Sequence, residues 1–295
     1  MELRLDPADP SVFYLFGRRL WGNSDNPLYR SKDSGRDWDL LINQGFGLEF
    51  DAAGIVLYRG GNSSLYRSLD HGSTWMILSL HGAKNFQGIA VDPSIPNKIF
   101  AMTGFPDDPK IIMSTDGGAT WFQVDINYQG QLFQDPVIHF SHSDPAIAYL
   151  SQTYGTPLRS EDGGKTWVMC GNFMGLSNGS DTTLAVHPKD SKRIMLATLG
   201  NEIFTSKDGC MSWDPSYRGL TNQYVSSIAF DPNHPDTVYA GTDGGAFISF
   251  DGGNSWNAIN DGLLGATVVY SIVVDPQSNV YAATPYGVFK LVNKP

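Results

Sequence analysis

Six aspartates stand in one recurring setting, and that setting decides what chemistry they can do. The segments are SKDSGRDW (31–38), SLDHGSTW (68–75), STDGGATW (114–121), SEDGGKTW (160–167), SKDGCMSW (206–213) and SFDGGNSW (249–256). Each places Ser two residues before Asp, glycine one to two residues after it, and Trp at the end. The Ser and Asp side chains are short enough to bond nearby backbone N–H groups, and glycine admits positive φ. Asp33, Asp70, Asp116, Asp162, Asp208 and Asp251 are therefore expected to build turns. The paired residues Trp38, Trp75, Trp121, Trp167, Trp213 and Trp256 are expected to bury their rings between neighbouring units while the indole N–H finds an acceptor. Six carboxylates distributed along the chain in this way do not converge on one substrate.

The spacing of these turns dictates the elements around them. The aspartates are 37, 46, 46, 46 and 43 residues apart. A second signal repeats in phase, an apolar run, then Asp-Pro or a relative, then another apolar run. It appears in LRLDPADPSVFYLF, IAVDPSIPNKIFAM, IHFSHSDPAIAYL, LAVHPKDSKRIMLAT, IAFDPNHPDTVYAGT and IVVDPQSNVYAAT, and shortened in LEFDAAGIVLY. Each repeat resolves into strand A, an Asp-Pro turn, strand B, strand C leading into the Asp turn, and strand D starting at the Trp. Four short antiparallel strands per radially repeated unit predict an all-β, seven-bladed β-propeller whose last blade has three strands. A single domain is expected over residues 1–295, with repeats at about 1–41, 48–79, 86–125, 134–170, 181–217, 225–260 and 269–295.

The turn motif resembles the Asp-box, or bacterial neuraminidase (BNR), repeat. That repeat occurs in sialidases, xyloglucanase-type glycoside hydrolases, sortilin-type receptor domains and photosystem II assembly-factor propellers. The resemblance covers essentially the whole chain and implies fold far more specifically than activity. Asp243, in GTDGGAF, is similar to a catalytic loop of the xyloglucanase-type enzymes and is the one catalytic candidate. Those enzymes pair two propellers around a cleft. Sialidases carry an Arg-Ile-Pro motif near the start, which this sequence lacks, and Arg30, Arg67 and Arg159 are explained by blade packing. The assembly-factor propellers share the grammar of GLTNQYVSSIAFDPNHPDTVYAGTDGGAFISFDGGNSW, and that resemblance implies a basic patch. Here Arg18 and Arg19 are the only adjacent arginines.

Binding residues are expected on the other face, formed by B–C loops and D–A connections, because loops on a rigid scaffold carry function. Trp21 is the one tryptophan outside the boxes, and Phe105, Tyr154 and Tyr286 lie in equivalent loops. These are the ligand-binding candidates, suited to stacking on sugar rings or gripping peptide side chains. Phe86 and Tyr224, just before strand A, read as channel plugs. The acids on this face are Asp25, Asp107, Asp108, Asp135, Asp181, Asp243 and Asp261. Glycoside hydrolysis needs two of them at about 5–5.5 Å or 6.5–9.5 Å.

The formal net charge of −10 disfavours nucleic acid and anionic membranes as partners. No segment is long and apolar enough to span a bilayer. The start, MELRLDPADP, does not read as a signal peptide, so the chain as written is cytoplasmic, or extracellular if cut from a longer precursor. The histidines His71, His81, His139, His142, His187 and His234 read as surface turn residues, and neither metal nor cofactor is expected. The sequons at Asn62 and Asn178 bear only on a secretory setting. Cys170, in an outer strand, and Cys210, in a turn one repeat later, are expected to stay unbridged, because disulfide geometry is narrow. Cys210 replaces a box glycine, which implies either a left-handed cysteine, costing about 1 kcal/mol, or a locally reshaped turn. The expected function is a monomeric, non-catalytic propeller that presents its loop face to a protein or glycan. The alternative is a glycoside hydrolase or a fragment of one.

Overall fold

The computed structural model describes residues 1–17, 26–43, 46–50, 57–60, 64–80, 88–95, 97–103, 109–126, 136–152, 155–171, 182–198, 203–222, 224–263 and 268–292. The first sheet contains β1 (Glu2–Leu5), β2 (Phe13–Phe16), β3 (Leu28–Ser31) and β4 (Asp39–Ile42). The second contains β5 (Phe46–Phe50), β6 (Leu57–Gly60), β7 (Leu65–Ser68) and β8 (Met76–Leu78). The third contains β9 (Gly88–Val91), β10 (Ile99–Thr103), β11 (Lys110–Ser114) and β12 (Phe122–Gln123). The fourth contains β14 (Val137–Phe140), β15 (Ala148–Ser151), β16 (Leu158–Ser160) and β17 (Thr166–Met169), with β13 (Asp125–Ile126) added beside β17. The fifth contains β18 (Thr182–Val186), β19 (Ile194–Thr198), β20 (Ile203–Ser206) and β21 (Asp214–Pro215). The sixth contains β22 (Val225–Phe230), β23 (Val238–Thr242), β24 (Gly245–Ser249) and β25 (Asn257–Ala258). The remaining sheet has β26 (Ser271–Val274), β27 (Val280–Thr284) and β28 (Gly287–Lys290).

The all-β propeller architecture is present, but the seven-bladed expectation is corrected: the propeller has six complete blades. Among the described residues, only six sheets reach four strands, and the group β26–β28 stops at three. The physical reason lies in its repeat. The five residues printed after its third strand, LVNKP, carry no Asp box, so within this sequence the group has no C–D turn and no Trp-led outer strand. A second correction concerns strand direction. β13 runs parallel to β17, with Asp125 opposite Thr166 and Ile126 opposite Trp167. This brings the chain leaving the third blade against the fourth.

The core lies at the seams between sheets. Phe100 of β10 meets Phe140 of β14 at 5.6 Å between ring centroids, and Trp167 joins the same cluster. Across another seam, Tyr239 and Ile248 of the sixth blade pack with Ile272 and Val280 of the three-stranded sheet. That sheet also closes onto the first blade, where Leu3 and Phe13 meet Tyr281 and Ala283. The Phe13 and Tyr281 rings make an edge contact at 4.8 Å. Second strands are buried on both sides, as in β10, β23 and β27. That is why they read as continuous apolar runs.

Candidate binding face

The Asp boxes have one geometry throughout. In each, the Ser hydroxyl donates to the Asp Oδ1 at 2.7–2.8 Å. The same hydroxyl accepts the N–H of the second residue after Asp, at 2.8–2.9 Å. Two consecutive residues with positive φ make this possible, from Ser34 and Gly35 in the first box to Gly252 and Gly253 in the sixth. The hydroxyls of Thr74, Thr120, Thr166, Ser212 and Ser255 donate to the other carboxylate oxygen. Asp37 takes that place in the first box, where only its N–H reaches Asp33. These bonds favour the ionised carboxylate. Donation from Thr74 N–H and Oγ1 and from Ser68 lowers Asp70 to about 2. The equivalent donors hold Asp116 and Asp208 near the same value.

Among the described residues, five boxes are also tied to the A–B turn of their own blade, the first through Ser34 N–H to the Ser11 carbonyl at 2.9 Å. Gly117, Gly163, Gly209 and Gly252 donate N–H to the carbonyls of Asn97, Ala146, Lys192 and Asp236 at 2.8–2.9 Å. Neighbouring blades add cations. Arg30 Nη1 donates to the carbonyl of His71 at 2.7 Å. A Cβ on Gly117 would lie 3.1 Å from Arg67 Nη1, and one on Gly209 would lie 2.8 Å from Arg159 Nη1. The three arginines therefore reach the box of the next blade.

The indole N–H groups of Trp38, Trp121 and Trp167 donate to the carbonyls of Gly35, Gly118 and Gly164 at 3.0–3.1 Å. Trp256 donates to Ser216 of the preceding blade. Trp75 departs from the expectation, since its buried Nε1 meets no acceptor among the described residues.

The loop face is described in the sixth blade and the three-stranded sheet. The β23–β24 turn is Thr242-Asp243-Gly244-Gly245, and the β27–β28 turn is Thr284-Pro285-Tyr286-Gly287. Both are fixed by their threonine. Thr242 Oγ1 accepts from Gly244 N–H at 3.0 Å and donates to the Gly245 carbonyl at 2.9 Å. Thr284 does the same with Tyr286 N–H and the Gly287 carbonyl, both at 3.1 Å. Gly245 and Gly287 have φ of 117° and 127°, which other residues rarely adopt.

Segments on either side of the sixth blade are drawn to its turn. Asp243 N–H donates to the Tyr224 carbonyl at 3.1 Å, Ala246 N–H to Asn260 Oδ1 at 2.8 Å, and Val269 N–H to the Thr242 carbonyl at 2.9 Å. Tyr224 is 53% exposed and Tyr286 is 71% exposed, while Asp243 and Asp261 are both exposed. Tyr224 is thus an exposed residue rather than a buried plug. The other proposed ligand-binding residues, Trp21, Phe105 and Tyr154, lie outside the described residues, as do Phe86, Asp25, Asp107, Asp108, Asp135 and Asp181.

Several residues stand where sequence did not place them. Cys170 and Cys210 form a disulfide, which corrects the expectation that they stay unbridged. Cys210 has φ of 72° and its N–H donates to Ser206 Oγ, so the fifth turn keeps the geometry of the others. The missed signal is the repeat phase. Cys170 is third after its box Trp, a position equivalent to Leu78 and Ser216. Leu78 lies against Gly118 of the next box, and Ser216 donates to the carbonyl of Gly253.

His187 is 4% exposed and occupies the A–B turn position held by aspartate in other blades. There its Nδ1 accepts from Lys189 N–H, while His139 lies in β14, so neither is a surface turn residue. On inner strands β1 and β5, Arg4 bonds Glu2 at 2.8 Å and Glu49 at 3.3 Å. Burial, offset in part by Arg4 and reinforced by Glu2, pushes Glu49 up to about 7.

Comparison with known proteins agrees with this geometry. Residues 155–283 match the family model for sortilin, neurotensin receptor 3 (Sortilin-Vps10). The oligoxyloglucan-reducing end-specific xyloglucanase of Emericella nidulans is 26% identical over 203 residues, covering 60% of this chain and 24% of that protein. These likenesses, with the geometry of the boxes, support a β-propeller of the Asp-box, BNR type. This Asp-box propeller thus spans about a quarter of the length of that curated relative. Among solved structures, an ancestral GH74 enzyme superposes with a TM-score of 0.74 at 17% identity, covering 96% of this chain and 43% of the enzyme. YCF48 bound to D1 peptide superposes with a TM-score of 0.71 at 16% identity, covering 100% of this chain and 93% of YCF48. At these identities the likeness is one of fold.

Proposed function

We propose that this Asp-box propeller is a monomeric, single-domain, non-catalytic binding module that presents its loop face to a protein or glycan ligand. The observation carrying the reading is the contrast in how carboxylates and aromatics are used. Box carboxylates spend their lone pairs inside turns. On the loop face, Tyr224, Tyr286, Asp243 and Asp261 stand exposed, on or beside turns held by their own hydrogen bonds. Tyrosine supplies contact area at a small cost in side-chain entropy. YCF48, a solved propeller of similar form, is bound to a peptide. Trp21, Phe105 and Tyr154 complete the proposed ligand surface. The test is binding of peptide and glycan libraries to the full chain, with molar mass from light scattering. Retention of one ligand class, lost in Tyr286→Ala without loss of fold, supports the reading.

A second reading, glycoside hydrolysis, is favoured by the xyloglucanase relative. In that reading Asp243 is one member of the carboxylate pair. Turnover of β-glucan oligosaccharides that disappears in Asp243→Asn would replace the binding-module reading with this one.

A further inference from the structure

Five of the six Asp boxes place glycine at the second left-handed position of the turn, and the fifth places Cys210 there, with φ of 72°. At three other boxes, those of Gly118, Gly164 and Gly253, a Cβ at this site would crowd a neighbouring side chain. A Cβ on Gly118 would come within 2.6 Å of Leu78 Cδ1, and one on Gly253 would press on Met195 Cε. The side chain at Cys210 is accepted because its sulfur is bonded to Cys170 of the preceding blade, 40 residues earlier. Both cysteines are sealed from solvent, at 2% and 1% exposure. Backbone bonds flank the link. Cys170 N–H donates to the Pro157 carbonyl, and Gly171 N–H donates to the Cys210 carbonyl, both at 2.9 Å. Around the bond lie Ile147, Tyr149, Leu184 and Leu196, the apolar filling of the seam between the fourth and fifth blades.

We propose that this seam is an oxidation-dependent clasp, in which the Cys170–Cys210 bond does covalently what the box glycine does by shape at the other seams. Forming it removes two electrons and two protons from the paired thiols. A disulfide donor, such as oxidised glutathione or a thiol oxidoreductase in its disulfide form, accepts them and leaves as two thiols. Reduction returns Cys210 to a thiol that still carries a Cβ at positive φ, now without the link that holds it. The fifth box then becomes the weakest of the six. The propeller accordingly works where disulfides persist, on the oxidising side of a membrane or outside the cell.

Thiol counting and thermal unfolding of the full chain test this. Protein prepared without reductant and denatured before alkylation should take up no label, and after reduction it should take up two labels. The reduced protein should unfold roughly 5 °C or more below the oxidised one. Cys170→Ser should match the reduced protein and ignore reductant. The double variant Cys170→Ser/Cys210→Gly restores the box glycine, so it should unfold above Cys170→Ser and also ignore reductant. Two labelled thiols before reduction would overturn the proposal, as would an unchanged midpoint on verified reduction. A double variant no more stable than Cys170→Ser would overturn it as well. Should the variants fail to fold, the label count and the reductant shift of the unaltered chain decide the matter alone.

Discussion

Asp116 and Asp243 both sit in hairpin turns beside a Gly-Gly pair, and the structure uses them in opposite ways. Asp116 accepts from Ser114 Oγ, Thr120 N–H and Thr120 Oγ1, so its carboxylate is consumed by its own turn. At Asp243 the threonine before it does that work, and among the described residues only the backbone N–H of the aspartate is engaged, with Tyr224. The difference separates a rim of repeated, internally satisfied turns from a loop face where Tyr224, Asp243, Asp261 and Tyr286 stand exposed. Damage to the rim should therefore be read in stability, and damage to the loop face in binding.

The largest effect should come from the seam side of the rim. Trp167 is fully buried against the Phe100 and Phe140 cluster. Trp167→Ala should cost about 3–5 kcal/mol in denaturant unfolding. A loss below about 1 kcal/mol would mean that the box tryptophans do not hold the seams. Ser114 is next, being fully buried and joined to Asp116 Oδ1, Asp116 N–H and Gly118 N–H. Ser114→Ala leaves those groups short of a partner and should cost about 1–3 kcal/mol.

The pH dependence of stability sharpens the comparison further. Asp70, Asp116 and Asp208 titrate at about 2 in the folded chain, below their ordinary 3.8. Their contribution is present above pH 3.8 and is lost as pH falls toward 2. Glu49 has the opposite sign. Its folded value of about 7 exceeds the ordinary 4.5, so its contribution is full below 4.5 and is lost as pH rises through 7. Thermal midpoints measured from pH 2 to 9 should show an acid limb common to all variants. The neutral-range decline should flatten in Glu49→Gln, and an unchanged slope there would refute the assignment.

The smallest stability effects belong to the loop face. Tyr286→Ala and Asp243→Asn should each change unfolding free energy by less than about 0.5 kcal/mol, since both side chains are exposed. Ligand retention, by contrast, should drop in Tyr286→Ala. A destabilised Tyr286→Ala would erase the distinction between rim and face.

Much of the scaffold was legible because its signals are local. Ser, Asp, Gly and Trp at fixed offsets imply the turn, and the alternation of Pro and Asp with apolar runs implies the strands. The loop face was legible only as a location, since its residues do not repeat. Tyr224 shows the limit, because its place just before strand A reads as that of a channel plug. Its 53% exposure comes from the neighbours around it.

The sequence by itself determined that this chain is a propeller built on Asp boxes, because each box closes through bonds among eight successive residues. Only the tertiary structure decided how many blades are complete, because strand count depends on pairing between distant segments. It also decided that Cys170 meets Cys210, because two residues 40 apart become neighbours only when one blade is laid against the next. The same packing set Glu49 beside Arg4, since the field at a half-buried carboxylate is the sum of charges that distant strands bring to it.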